Sequence, residues 1–223
     1  MEDRLREIAR WRAVAEAKGQ AQLDALRRSV AETHEQAKLV AGLFWGVVAG
    51  GYLLISWQAV SLTAGLLALQ AWIVAAGLLH RRVAKTTAPW FDQWIAWLSA
   101  LLPLVLHLPV ETLAGKLVNL TGLGVTVWAL LTLADGRAFA IAPADRGLIA
   151  IGPYRFLRHP MYTGELLSVL GVVFFGNFTL WNLLIILLLM LTLLRRIHVE
   201  EGLVSGYRSY AYTVRWRILP GVW

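Results

Sequence analysis

The feature that most constrains this chain is a recurrence of apolar runs, several of them close to 20 residues long. A helix rises about 1.5 Å per residue, so a run of about 20 residues can cross a bilayer. The runs occupy residues 38–57, 60–80, 93–109, 114–134, 161–175 and 178–194, and 58% of all residues are hydrophobic. They predict an all-α fold: a polytopic transmembrane helical bundle of about six membrane segments, preceded by an amphipathic N-terminal helix. The last two segments are read as a C-terminal helical hairpin across Gly176-Asn177, a strong turn pair. Pro103 predicts a kink in the third segment. Gly42, Gly46 and Gly50 recur every fourth residue in the first segment, a spacing that permits close helix packing.

Charge orients the bundle. Of the 21 Lys and Arg residues, all but Lys116 fall in segments that six crossings leave on one side, counting Lys38 at the edge of the first run. The positive-inside rule makes that side cytoplasmic and places both termini there. The net charge of +7 is therefore read as topology, with no nucleic-acid partner expected. A chain without cysteine has no disulfide, thiolate metal site or Cys nucleophile, and no metal centre is expected. The charged start lacks the early apolar stretch of a cleavable signal peptide. The pattern fits a bacterial or archaeal inner membrane ahead of the endoplasmic reticulum, where the same charge rule applies.

Two domains are expected. Residues 1–36 carry Leu5, Ile8, Trp11 and Ala15, then Leu23, Leu26 and Val30, at helical spacing, with Gly19 as a weak point between them. This helix can lie on the membrane surface, bind a partner or a second copy, or pack loosely on its own domain. Residues 37–223 form the membrane domain, in contact with membrane lipids.

Within that domain one stretch breaks the apolar pattern: Gly152-Pro153-Tyr154-Arg155-Phe156-Leu157-Arg158-His159-Pro160-Met161-Tyr162-Thr163-Gly164-Glu165. Gly152-Pro153 marks a turn, and Pro160 suits the first position of a helix, where its missing N–H costs nothing. His159, Tyr154 and Tyr162 offer hydrogen bonds and aromatic faces to a planar, polar cofactor. The helix start offers free N–H groups to a carboxylate or phosphate. A second polar cluster follows the last apolar run: Arg195-Arg196-Ile197-His198-Val199-Glu200-Glu201. Arg196 and Glu200 share a helix face at i, i+4. Glu200 and Glu201 suit an ammonium or ribose hydroxyls, and Arg196 an anionic substrate. Both clusters lie on the cytoplasmic side, so a site built from them would adjoin the lipid. His34, His80 and His107 are scattered and form no metal site.

The stretch from Gly152 to Gly164 resembles the signature of the isoprenylcysteine carboxyl methyltransferase family, which the related membrane phospholipid methyltransferases share. Arg196-Ile197-His198-Val199-Glu200-Glu201 resembles the family's second motif, and Tyr207, Tyr210 and Pro220-Gly221 its C-terminal ending. The resemblance covers roughly residues 115–223. It implies an integral membrane methyltransferase that uses S-adenosyl-L-methionine and admits a lipophilic or prenylated substrate sideways from the bilayer. By position it implies cofactor contacts at Gly147, Leu148, Ile149, Tyr154, His159, Pro160, Met161, Tyr162 and Glu200. Arg196 would bind and orient the substrate, and Arg196, Glu200 and Glu201 would form the catalytic set. Arg146 stands where the family commonly has His.

The implied reaction is direct displacement at a sulfonium methyl group, with donor and acceptor held in line. A carboxylate acceptor, as in an isoprenylcysteine-like substrate, needs no base. An amine must lose a proton, with Glu201 or His198 as candidate bases, and a thiol is a third option. Two rival readings differ in class. One is an NADPH-dependent membrane reductase of the sterol type, whose related motif also carries a Glu at the position of Glu165. The other is a non-catalytic scaffold that binds a partner through the N-terminal helix.

Overall fold

The computed structural model describes residues 2–59, 62–106, 112–175 and 178–223. The Gly176-Asn177 turn, His107, and the side chains of Leu5, Ile8, Trp11, Ala15, Val30 and His34 lie outside the described residues. Helix α1 (Glu2–Ala59) passes Gly19 without a break. It is followed by α2 (Leu62–His80), β1 (Thr86–Thr87), α3 (Trp90–Leu101), α4 (Leu113–Asp135) and β2 (Ala144–Asp145). The chain ends with α5 (Pro160–Phe175), α6 (Leu180–Leu203) and α7 (Tyr207–Thr213). It divides into two compact units, Met1–Ala41 and Gly42–Trp223. In the first, Leu23 and Leu26 of the expected apolar stripe are exposed.

Three helical stretches are long and apolar enough to cross a membrane: Glu35–Gln58, Leu113–Asp135 and Leu180–Leu203. The expected third and fifth segments are shorter: α3 has 12 residues and α5 has 16. The expected second segment is the 19-residue α2, of which Leu67–His80 is an apolar stretch. Length and composition thus support three spans among the described residues, and the chain is an integral membrane protein by these helices. The kink expected at Pro103 is a helix end: α3 gives way to a 3₁₀ turn, Leu102–Val105, with Pro103 in its first turn. Helix α6 runs nine residues beyond the predicted Leu194, so Arg195 to Glu201 stay helical.

Glycine packing falls elsewhere than expected. Gly46 and Gly50 meet no atom within 4 Å, and only Gly42 abuts a neighbour, the Leu79 side chain. The close approach is between α4 and α5. A Cβ on Gly164 would sit 2.5 Å from the Thr126 amide nitrogen, and one on Gly171 2.6 Å from that of Asn119. Between lipid-embedded helices there is no hydrophobic drive to associate, so such backbone contact maximises dispersion and shelters polar groups. Asn119 uses that shelter: its Nδ2 donates to Ser168 Oγ at 2.8 Å and to the Ser168 carbonyl at 3.1 Å. The starts of α4 and α6 are capped by side chains. Thr112 accepts from Gly115 N, and Thr179 from Asn182 N.

The outer helix faces are apolar, with Val47 75% and Leu180 72% exposed, the opposite of a water-facing surface. Inside, Leu78, Leu123, Leu130, Leu189 and Leu193 are fully buried. At one end of the bundle, two polar connections position the site. β1 pairs antiparallel with β2, Thr86 opposite Asp145 and Thr87 opposite Ala144, which ties the chain after α4 to the loop after α2. The C-terminal tail then lies beside the start of α5. Arg158 N donates to the Trp216 carbonyl at 2.8 Å and His159 N to that of Arg217 at 2.9 Å.

Candidate active site

An open cleft of about 740 Å³ lies between the α4–α5 connection, the first turn of α5 and the C-terminal end of α6. Gly147, Leu148 and Ile149 form part of one wall, and Tyr154, His159, Met161 and Tyr162 another. Glu200 closes it from α6, with Tyr207 and Tyr210 from α7. All the expected cofactor residues except Pro160 thus line a single cleft. Pro160 instead begins α5, as its ring geometry favours. Gly147 holds φ at +98°, a backbone conformation that costs a side-chain-bearing residue but not glycine.

His159 is buried at the centre. Its ring stacks on Tyr162 at 5.6 Å with the planes 6° apart. Its Nε2 lies 3.0 Å from the Tyr207 hydroxyl, and its Nδ1 3.7 Å from Glu200 Oε2. Tyr162 donates to Glu200 Oε1 at 2.5 Å. These contacts cover one ring face, engage both ring nitrogens and leave Glu200 lining the cleft. Burial pushes the Tyr207 and Tyr154 phenols well up, and Tyr210 up to about 12, so all three stay neutral hydrogen-bonding groups. Tyr210 donates to the Tyr154 carbonyl at 2.5 Å, which anchors α7 to the wall of the cleft.

Glu201 is drawn away from the cleft that Glu200 faces. Arg217 binds it through two bonds, Nε to Oε1 at 2.7 Å and Nη2 to Oε2 at 2.9 Å. Arg158 adds a third at 3.2 Å, and the Tyr207 hydroxyl a fourth at 3.2 Å. With its oxygens so engaged, Glu201 holds α6, the tail and the start of α5 together. His198, the other candidate base, is exposed on α6 and lines neither this cleft nor the chamber beside it.

Arg196 also lies outside the cleft. It lines an adjoining chamber of about 720 Å³ within the bundle, which shares Ala140 and Met161 with the cleft. There it is buried, with Nη2 donating to the Ile141 carbonyl at 2.8 Å and Nη1 to Ser99 Oγ at 3.3 Å. Its guanidinium sits 4.8 Å from the centre of the Tyr162 ring. Tyr162 therefore stands between the two spaces, bonded to Glu200 on one side and covered by Arg196 on the other.

Sequence reasoning missed the clamp that shapes the cleft wall. Asp145, fully buried, accepts from Gly147 N at 3.0 Å, Ser205 N at 3.2 Å and Ser205 Oγ at 2.5 Å. These bonds hold its carboxyl below the usual carboxylate range, led by the Ser205 hydroxyl. An Asp two residues before a backbone amide is a local turn signal, but Ser205 is 60 residues away and unreadable in advance. Arg146 is buried nearby, where desolvation and the charge of Arg81 lower it to about 10, and its Nε donates to the Arg82 carbonyl.

Helices of membrane length thus carry an open cleft at one end of the bundle and a second, apolar space that shares Ala140 and Met161 with it. Residues 110–209, which carry most of both walls, match the phospholipid methyltransferase family. No curated protein and no solved structure matches the chain.

Proposed function

We propose that this protein transfers a methyl group from S-adenosyl-L-methionine to a lipophilic acceptor that enters from the bilayer. The observation that carries this reading is the convergence of Gly147 to Ile149, Tyr154, His159, Met161, Tyr162 and Glu200, from three separated segments, on one cleft. The chemistry of the lining suits the cofactor. Glu200 offers a carboxylate to ribose hydroxyls or an ammonium, while Tyr154, His159 and Tyr162 offer aromatic surface beside hydrogen-bonding groups. When bound, the cofactor supplies an electrophilic sulfonium methyl. His159, Tyr162 and Glu200 would orient it, and Met161 and Ala140, at the border of the two spaces, would flank the transfer path.

The chamber behind is the acceptor's place in this reading. Leu67, Val74, Leu104, Leu130 and Phe139 give it apolar walls. An isoprenylcysteine-like carboxylate, the acceptor that the resemblance implies, would meet Arg196, which lines the chamber. It would also share the chamber with the Glu165 carboxylate. In this reading the site faces the cytoplasm, on the Lys and Arg that flank it, and the expectation of both termini inside a prokaryotic inner membrane holds only if the shorter helices also cross in pairs. Residues 1–36 are left to contact lipid, a partner or a second copy.

Ligand-induced thermal stabilisation tests the reading. A ligand that binds only the folded state at about 100 times its Kd adds about 2.7 kcal/mol of stability. Detergent-purified protein should gain Tm with S-adenosylhomocysteine and not with NADPH, and His159→Ala should lose the gain. A gain with NADPH alone would favour the reductase reading. No gain with either ligand, in folded protein, would favour the scaffold.

A further inference from the structure

Two connections at the cleft end of the bundle gather cations. Residues 81–88, after α2, and residues 136–147, after α4, contain Arg81, Arg82, Lys85, Arg137 and Arg146, with Asp145 as their one acid. Asp145 is buried and bonded to Gly147 and Ser205, so its charge is directed inward. The two stretches are laced together. Arg82 N donates to the Arg137 carbonyl at 2.9 Å, Lys85 N to the Asp145 carbonyl at 2.8 Å and Arg146 Nε to the Arg82 carbonyl at 3.0 Å. Arg82, Lys85 and Arg137 are exposed, while Arg146 is buried.

Arg137 distinguishes this patch from an ordinary row of loop charges. Among the described residues it is the one non-glycine residue with positive φ, at +52°, and it follows Gly136, whose φ is −70°. A side chain in the left-handed region costs free energy that glycine does not. Strain of this kind clusters at ligand clamps and switch regions. Arg82 in turn reaches the cleft wall: its Nη1 lies 4.0 Å from where a Cβ on Gly147 would stand. The flanks are those of a bilayer interface. Arg81 and Arg82 follow directly on the apolar stretch Leu67–His80, and Val83, Trp90 and Phe91 are exposed.

We propose that Arg82, Lys85 and Arg137 form a docking site for the phosphate headgroups of anionic phospholipids, and that an occupied site steadies the adjoining cleft wall. Charge and place both select a lipid. Phosphodiester headgroups complement three exposed cations that no acid of these stretches offsets, immediately beyond an apolar helix. Val83 and Trp90 supply the apolar and indole surface that suits the boundary with the acyl chains. The coupling follows from the chain: Arg146, bonded to the Arg82 carbonyl, stands between Asp145 and Gly147. Fixing the loop that carries Arg82 fixes the segment that presents Gly147 to the cleft. This second effect rests on the methyl-transfer reading above.

The test uses the full chain in dodecyl maltoside, with Tm followed as lipid is added. Dioleoylphosphatidylglycerol should raise the Tm of wild type, and dioleoylphosphatidylcholine or inorganic phosphate should not. A basic residue near an anionic surface contributes about fivefold in affinity, so Arg82→Gln/Lys85→Gln/Arg137→Gln should raise the half-maximal lipid concentration about a hundredfold. Arg137→Gly adopts the same backbone without strain, so it should keep the lipid-free Tm and still lose about fivefold in lipid affinity. Arg208→Gln, the same charge change on α7, should titrate like wild type. Equal responses to the two lipids, a shift with inorganic phosphate alone, an equal shift with poly-glutamate, or a triple variant that titrates like wild type would overturn the docking site. S-adenosylhomocysteine should bind wild type about fivefold more tightly at saturating phosphatidylglycerol, and the triple variant should show no such gain. An unchanged Kd in wild type would overturn the coupling. Absence of S-adenosylhomocysteine binding with and without lipid would overturn the methyl-transfer reading, while the lipid-dependent Tm would still decide the docking site.

Discussion

At the scale of single residues, adjacent carboxylates have opposite tasks. Glu200 and Glu201 are neighbours in sequence and were grouped by it, yet one helical step turns the first into the cleft and the second into the grip of Arg217 and Arg158. Which of two adjacent acids faces a ligand depends on the partner that reaches the other, and Arg217 arrives from the far end of the chain. Asp145 gives the residue scale its sharpest prediction. Its folded-state pKa is depressed, so its stabilisation is present above its unfolded value of about 3.9 and is lost as pH falls through the lower folded value. A charged buried hydrogen bond is worth about 1.5–3 kcal/mol. Asp145→Asn should therefore lower Tm at pH 7 by several degrees. The gap from wild type should narrow as the pH is taken below about 4, in parallel melts of the two proteins. An unchanged gap across that range would assign the loss to shape rather than charge.

At the scale of elements, the helices were legible and their contacts were not. The predicted limits of the first, fourth and fifth segments fall close to Glu35–Gln58, α4 and α5, because hydropathy and capping act locally. The evenly spaced glycines of the first segment drew the packing expectation, but Gly46 and Gly50 face open space. The backbone contact belongs to Gly122, Gly164 and Gly171, where glycine lies opposite Ser, Thr and Asn on the facing helix. Spacing shows that a helix can approach closely and not which neighbour does so. Gly164 carries the consequence for the site, since it lies between Tyr162 and Glu165 on the same helix. Gly164→Ala should destabilise the protein by about 1–3 kcal/mol through forced overpacking. It should also weaken S-adenosylhomocysteine binding, because α5 must move away from Thr126. Gly46→Ala, in open space, should leave both melting temperature and affinity unchanged.

At the scale of the whole molecule, the cleft's membership was readable from motifs and its shape was not. The signature from Gly152 to Gly164 and the Glu200 segment identified almost all of one wall because a ligand's chemistry leaves local patterns. The chamber draws on Trp45, Gln70, Phe139, Glu165 and Arg196, each ordinary in its own segment and significant only once the helices meet. Under the proposed function the two spaces form one reaction site, with the donor in the cleft and the acceptor in the chamber, joined at Met161 and Ala140. An experimental structure of the protein with S-adenosylhomocysteine tests this most directly. The account predicts ligand density in the cleft, in contact with His159, Tyr162 and Glu200, with its sulfur end toward Met161. Density at a different place, or a sulfur end turned away from the chamber, would contradict it.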